Sequence, residues 1–270
     1  MKRTGIAIMT MFCTCFLFLT AIAIPPSQSG ESASLQEARI QAEKTAVLID
    51  NWMNEQTDFI VMMAESIVNI NTAGVQDYLQ DKLKSRTEFG YVDLYIGYSD
   101  DTAVMGSGWQ PVPEWKPTQR SWYIGAVRNA ERTYISDTYL DAATGELTVT
   151  ISRAVVGDDG KVIGVVSGDI FLSRIEDIMN QLNSTETIDA FLTDSSGFIL
   201  MYPNNKGFPA QRNEGLAHIG EICDGLFAPL LSKESEGAFG IRDEDRATHY
   251  IVKSIVQAAD WNVYIANARR

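Results

Sequence analysis

Between residues 32 and 70 the chain has neither proline nor glycine, and apolar side chains recur at Leu35, Ala38, Ala42, Ala46, Ile49, Trp52, Phe59, Met63, Ile67 and Ile70. Steps of three, four and seven place these residues on one stripe of a single helix. At about 1.5 Å of rise per residue such a helix is several tens of Å long, so whatever follows must pack along it. Ser32 or Ser34 can cap its start, and Glu37 stands three residues beyond Ser34 as a capping box requires. The stripe also carries Thr45, Gln56 and Ser66, which weakens a coiled-coil seam without removing it. A homodimer through this stalk helix, residues 32–72, is therefore one expectation.

Upstream, Lys2 and Arg3 precede an uncharged apolar run over residues 5–24. This is the pattern of a signal peptide or an N-terminal membrane anchor, assigned to residues 1–24 with 25–31 as linker. Ala21-Ile22-Ala23 offers small residues for cleavage after Ala23, whereas retention leaves the two basic residues inside. Either way the remainder is extracytoplasmic: periplasmic or secreted if cleaved, held at the cell membrane if not. Cys13 and Cys15 lie within the apolar run and leave Cys223 alone downstream, so no internal disulfide framework forms there.

After the helix, a short helix is expected over residues 75–85. Residues 91–96 then alternate, with Val92, Leu94 and Ile96 facing one way and Tyr91, Asp93 and Tyr95 the other. A proline-punctuated loop covers 111–117, and a strand resumes at 133–135. Runs 146–156 and 162–171 flank Gly157-Asp158-Asp159-Gly160 as a hairpin, and a helix starts at Ser173. A second hairpin follows, 188–193 and 198–202 around Asp194-Ser195-Ser196-Gly197. Residues 207–237 read as loops with short helices, and strands 249–255 and 261–266 close the chain. The order of elements implies an α+β fold: a long stalk helix with two antiparallel sheet modules, 73–185 and 186–270.

The formal net charge of −13 excludes the basic surface that nucleic acid requires. The two histidines, His218 and His249, have no metal-spaced partners, so neither a metal nor another cofactor is expected. Gly106-Ser107-Gly108 lacks the third glycine of a phosphate loop, and no GxSxG turn is present. The expectation is a protein that binds and does not catalyse.

The densest chemical cluster runs from Trp115 through Arg120, Ser121, Trp122 and Tyr123. A guanidinium among indole and phenol rings can grip a carboxylate bidentately, or the rings can cover a core edge while the arginine extends to solvent. Downstream, Tyr139-Leu140-Asp141 ends a strand, and Asp169 sits within the apolar run 162–172. A carboxylate there either points out at an edge or meets a cation, because unpaired burial is expensive. With Arg120 on a ligand's carboxylate, Asp169 with Tyr139 or Asp141 could take an ammonium.

The sequence resembles the double Cache family of sensor domains found on bacterial chemoreceptors and sensor kinases. The resemblance is carried by the long opening helix, RSWY at 120–123 with Ala126, TYLDAATGELTVTISRAV, GKVIGVVSGDI, AFLTDSSGFILMYPN and the closing HYIVKSIVQAADWNVYIA. It implies a membrane-distal and a membrane-proximal PAS-like Cache module, with the ligand held in the distal one. The amino-acid-binding branch of the family implies ligand roles for Trp115, Arg120, Trp122, Tyr123, Tyr139 and Asp169. The first three would serve the carboxylate; Tyr123 and Asp169 would serve the amine. One departure is Trp115, where that branch has tyrosine. For a chain ending at Ala268-Arg269-Arg270, the expectation is a truncated or split receptor, or a binding protein that passes its state to a membrane-bound signalling partner.

Overall fold

The computed structural model describes residues 21–24, 33–141, 147–180, 188–201, 217–220, 228–231, 238–242 and 248–267. The stripe read from the sequence forms one continuous helix, α1 (Ala33–Ile67), which ends before Ile70, so the stalk helix expected to reach residue 72 is shorter than the stripe suggested. Leu35, Ala38, Ala42, Ala46, Ile49, Trp52, Phe59, Met63 and Ile67 are all buried along it. Thr45 and Gln56 are buried on the same stripe and donate within the helix, Thr45 Oγ1 to Gln41 O and Gln56 Nε2 to Trp52 O, while Gln56 Oε1 meets no donor among the described residues. The chain makes two compact units that share this helix: Trp52–Arg174 form one, and Met1–Asn51 with Ile175–Arg270 form the other.

In the Trp52–Arg174 unit, α2 (Val75–Lys84) leads to β2 (Tyr91–Tyr98) and β3 (Ala103–Met105), and α3 (Ser121–Arg128) follows. The strands β4 (Tyr134–Ile135), β5 (Tyr139–Leu140), β6 (Leu147–Val156) and β7 (Val162–Phe171) complete it. The sheet runs β3-β2-β7-β6-β4, antiparallel throughout, with β5 also on β6. The β6–β7 hairpin closes through Gly160, whose φ of 78° explains the glycine. Two elements of this unit escaped the sequence reading: β3 has three residues and α3 only eight, too few for either periodicity to register.

One face of this sheet is apolar, with Leu94, Ile96, Val149, Ile151, Val166 and Ile170 buried. The other carries Asp93, Tyr95, Thr150, Ser152, Ser167 and Asp169, equally buried. The expected alternation in β2 is corrected at its start. Tyr91 pairs with Ile170 and Asp93 with Asp169, so Val92 is an extra residue in a bulge. Tyr91 thereby joins the apolar face, meets Phe59 of α1 edge-on at 5.5 Å and donates its hydroxyl to Gln56 O. Val92 turns instead toward the polar face, where it lines the cavity described below.

In the other unit, β8 (Ile188–Thr193), β9 (Ile199–Met201), β10 (Ala238–Arg242), β11 (Thr248–Val256) and β12 (Trp261–Asn267) follow α4 (Ser173–Asn180). The sheet order is β1-β10-β11-β12-β8-β9, with β1 (Ala21–Ile24) at one edge. Its core includes Phe191, Ile219, Leu230, Ile251 and Tyr264, and Phe191 stacks on Tyr264 at 4.6 Å. β1 is a difference from the sequence reading, which placed these residues at the end of an export segment. They pair with β10, Ala21 opposite Ile241 through Ile24 opposite Ala238. No helix among the described residues is long and apolar enough to cross a membrane. Most of the expected loops at 207–237, the turn at 142–145 and the cap at Ser32 lie outside the described residues.

Candidate ligand-binding cavity

The polar face of the first sheet is roofed by α3 and the segment before it. Pro117 opens a short 3-10 turn, Arg120 is extended at the N-cap of α3, and the helix then turns Trp122, Tyr123 and Ala126 into the core. The roof lies close because residue 97 is glycine. A Cβ there would stand 2.6 Å from Pro117 Cβ and 2.9 Å from the Trp122 ring. Trp122 meets Tyr95 edge-on at 5.1 Å and Tyr123 edge-on at 5.8 Å, lies tilted against Trp115 at 6.3 Å, and Trp109 closes on Trp115 at 5.7 Å.

Beneath this aromatic layer lies a cavity of about 400 Å³, in the range of roughly 300–1,000 Å³ that suits small molecules. Six of the seven residues singled out from the sequence line it: Trp115, Arg120, Trp122, Tyr139, Asp141 and Asp169. Tyr123 does not; it packs into the core beside Trp122. The sequence reading missed Val92, Asp93, Tyr95, Met105, Ser107, Gly108 and Trp109, which complete the wall. Asp93 carried the same signal as Asp169, an acid in an apolar strand, and Tyr95 stood two residues away on the same face.

Charge is sharply divided within the cavity. Arg120 is half-buried, its guanidinium carbon 6.0 Å from the Trp115 ring centroid. It has no hydrogen bond or ion pair from its side chain to any described residue. Asp169 is 5% exposed and meets no cation among the described residues either. Its Oδ1 instead collects three hydroxyls: Thr150 at 2.8 Å, Tyr95 at 2.9 Å and Tyr139 at 3.2 Å. No described residue donates to Oδ2. Burial pushes the carboxyl up to about 7, against the lowering effect of the Thr150 and Tyr95 hydrogen bonds, with Asp141 and Asp93 adding upward pressure. Tyr139 also contacts Thr150 at 2.5 Å, and its phenol is driven upward by burial and by the Asp169 charge.

Asp93 is also raised, first by burial, and hydrogen bonds from Ser107 and the Leu94 N–H work against this. Its Oδ1 accepts from the N–H groups of Leu94 and Ser107, both at 2.8 Å, and Oδ2 accepts the Ser107 hydroxyl. These bonds pin the turn that carries Gly108, φ 80°, into the cavity wall. His218 has a local structural role: Nδ1 accepts from the Gly220 N–H, so Nε2 is the nitrogen that donates to Ser196 O.

A long helix, two antiparallel sheets and a cavity that holds a cation and a buried carboxylate describe a small-molecule sensor module. The chain belongs to the double Cache family: the Cache domain of that type matches residues 28–269. The family is one of extracytoplasmic sensor domains on membrane proteins. Among relatives, the methyl-accepting chemotaxis protein McpC of Bacillus subtilis is 34% identical over 113 residues, 42% of this chain and 17% of that protein. McpA of Pseudomonas putida, also a methyl-accepting chemotaxis protein, is 30% identical over 162 residues, 59% of this chain and 24% of its own. The chain thus spans about a quarter or less of these relatives. Among solved structures, the ligand-binding domain of the Pseudomonas aeruginosa amino acid chemoreceptor PctC, in complex with GABA, superposes with a TM-score of 0.70. The two are 21% identical, and the match covers 87% of this chain and 99% of that one. The ligand-binding domain of the Pseudomonas fluorescens chemoreceptor CtaA, in complex with L-serine, gives 0.69 at 21% identity, covering 86% and 96%. At that identity the likeness establishes the fold.

Proposed function

We propose that this chain is the extracytoplasmic ligand-binding part of a chemotaxis-type sensor, and that it recognises an amino acid or a related small carboxylate. The observation that carries this reading is a pair of opposite charges in one cavity that find no countercharge among the described residues: Arg120 without an anion, and Asp169 with no described donor to Oδ2. A zwitterion supplies both missing partners. Arg120 takes the carboxylate as a bidentate fork, and Asp169, steadied by Tyr95, Tyr139 and Thr150, takes the ammonium. Trp115 and Trp122 shape the apolar wall, and Asp141 adds negative potential beside Asp169. Tyr123 supports Trp122 from behind. Complexes of similarly folded domains with GABA and L-serine support the ligand class.

Residues 73–185 serve as the membrane-distal ligand module and 186–270 as the membrane-proximal one. The N-terminal segment is retained as an anchor, because cleavage after Ala23 would sever a strand paired with β10. Output passes to a membrane-bound signalling partner, and a homodimer forms through α1, where Ile40 and Val47 are each 55% exposed.

A thermal-shift screen of α-amino acids, the matching amines and the matching deaminated acids tests the ligand reading, since bound ligand raises stability by mass action. α-Amino acids are expected to raise the melting temperature most. Stabilisation by none of the three classes at millimolar concentration would overturn the reading.

A further inference from the structure

The amino-acid reading leaves the ligand's side chain open, and the inference drawn here rests on that reading. β2 and β7 pair antiparallel with Asp93 directly opposite Asp169. Directly opposed residues project from the same face with Cβ atoms roughly 5 Å apart, where like charges work against the pairing. Both are buried, at 8% and 5% exposure, and Asp141 lines the same cavity. Against these three carboxylates, the described lining contributes one cation, Arg120.

Asp93 is oriented by neutral donors and has no ion pair among the described residues. The Leu94 and Ser107 N–H groups and the Ser107 hydroxyl occupy three of about four acceptor positions on a carboxylate, leaving one on Oδ2. A simple zwitterion gives its carboxylate to Arg120 and its ammonium to Asp169, so Asp93 stays buried without a countercharge, a costly arrangement. A second ammonium on the ligand supplies that charge. Neighbouring strands lie about 4.8 Å apart, a separation that a short methylene chain between two amines spans. We infer that Asp93, with Asp141 reinforcing the negative potential, selects a dibasic amino acid, its two amines a few methylenes apart, over a neutral side chain of the same length.

Calorimetric titration of the whole chain with L-ornithine, L-norvaline and putrescine separates the contributions. Norvaline keeps the carbon skeleton without the terminal amine, and putrescine keeps both amines without the carboxylate. Ornithine is expected to bind at least about tenfold tighter than norvaline, an ordinary effect for one added charge pair. Asp93→Asn retains a carbonyl for the two backbone N–H groups and should bring that ratio toward one. Equal binding of ornithine and norvaline to the wild type overturns the inference and leaves the Arg120–Asp169 reading standing. Binding of neither overturns both. A ratio unchanged in Asp93→Asn, even with both affinities lowered, marks a purely structural Asp93 and overturns its selecting role. Putrescine binding as tightly as ornithine overturns the requirement for the carboxylate.

Discussion

Replacing Asp169 by asparagine should make the empty protein more stable at pH 8 and a poorer binder at the same time. Burial raises the Asp169 carboxyl from 3.8 to about 7. A group raised in the folded state contributes stability that is fully present below its unfolded value, here 3.8, and is lost as pH climbs through about 7. A separation of about three pKa units corresponds to a loss on the order of 4 kcal/mol by pH 8. Asparagine does not titrate, and its carbonyl can still accept from Tyr95, Tyr139 and Thr150. Asp169→Asn should therefore match the wild type within about 1 kcal/mol near pH 4 and exceed it by a few kcal/mol at pH 8. Urea unfolding at both pH values, followed by tryptophan fluorescence, is the suitable assay. Trp52, Trp109, Trp115 and Trp122 all belong to the unit that contains the cavity. In parallel, amino-acid affinity should fall at least about tenfold, because a hydrogen bond to a charged group is worth roughly 1.5–3 kcal/mol. A variant that is less stable than the wild type at pH 8, or that binds amino acids as well, would falsify the assignment of Asp169 as a carboxylate held ready for an ammonium.

Arg120→Ala should abolish carboxylate binding, with a loss of roughly 2–5 kcal/mol, while leaving the melting temperature nearly unchanged because the side chain pairs with no described residue; calorimetry and thermal unfolding read the two effects separately. Amino-acid affinity should rise with pH through about 7 as Asp169 ionises. Tyr95→Phe, by removing a hydrogen bond that lowers that carboxyl, should shift the midpoint upward, and a downward shift in titrations across pH 5–9 would contradict the network. Gly97→Ala drives a methyl into Pro117 and Trp122 and should cost about 1–3 kcal/mol, visible in thermal unfolding. The intact mass of the exported protein should include residues 1–23; a chain beginning at Ile24 would refute retention of the N-terminal segment.

The long helix was legible because its stripe obeys one period without interruption, and the β6–β7 hairpin because Gly157-Asp158-Asp159-Gly160 fixes its turn. The bulge at Val92 was not, since a single extra residue inverts the facing of Tyr91 without altering composition. α3 was hidden for a related reason: in eight residues, Trp122, Tyr123 and Ala126 cannot establish a helical period. For the cavity, Arg120 stood out as a cation among rings and Asp169 as an acid in an apolar strand. Ser107, Gly108 and Trp109 could not, because they reach the wall only through the turn that Asp93 holds by hydrogen bonds. Tyr123 is the converse case, prominent in sequence but packed behind Trp122.

A crystal structure of the chain with a bound amino acid tests the central claim most directly. The account predicts the ligand carboxylate within about 3 Å of the Arg120 guanidinium and the ammonium within about 3 Å of Asp169 Oδ2, as charge-assisted hydrogen bonds require. A ligand bound elsewhere, or in this cavity with its carboxylate turned away from Arg120, would contradict it.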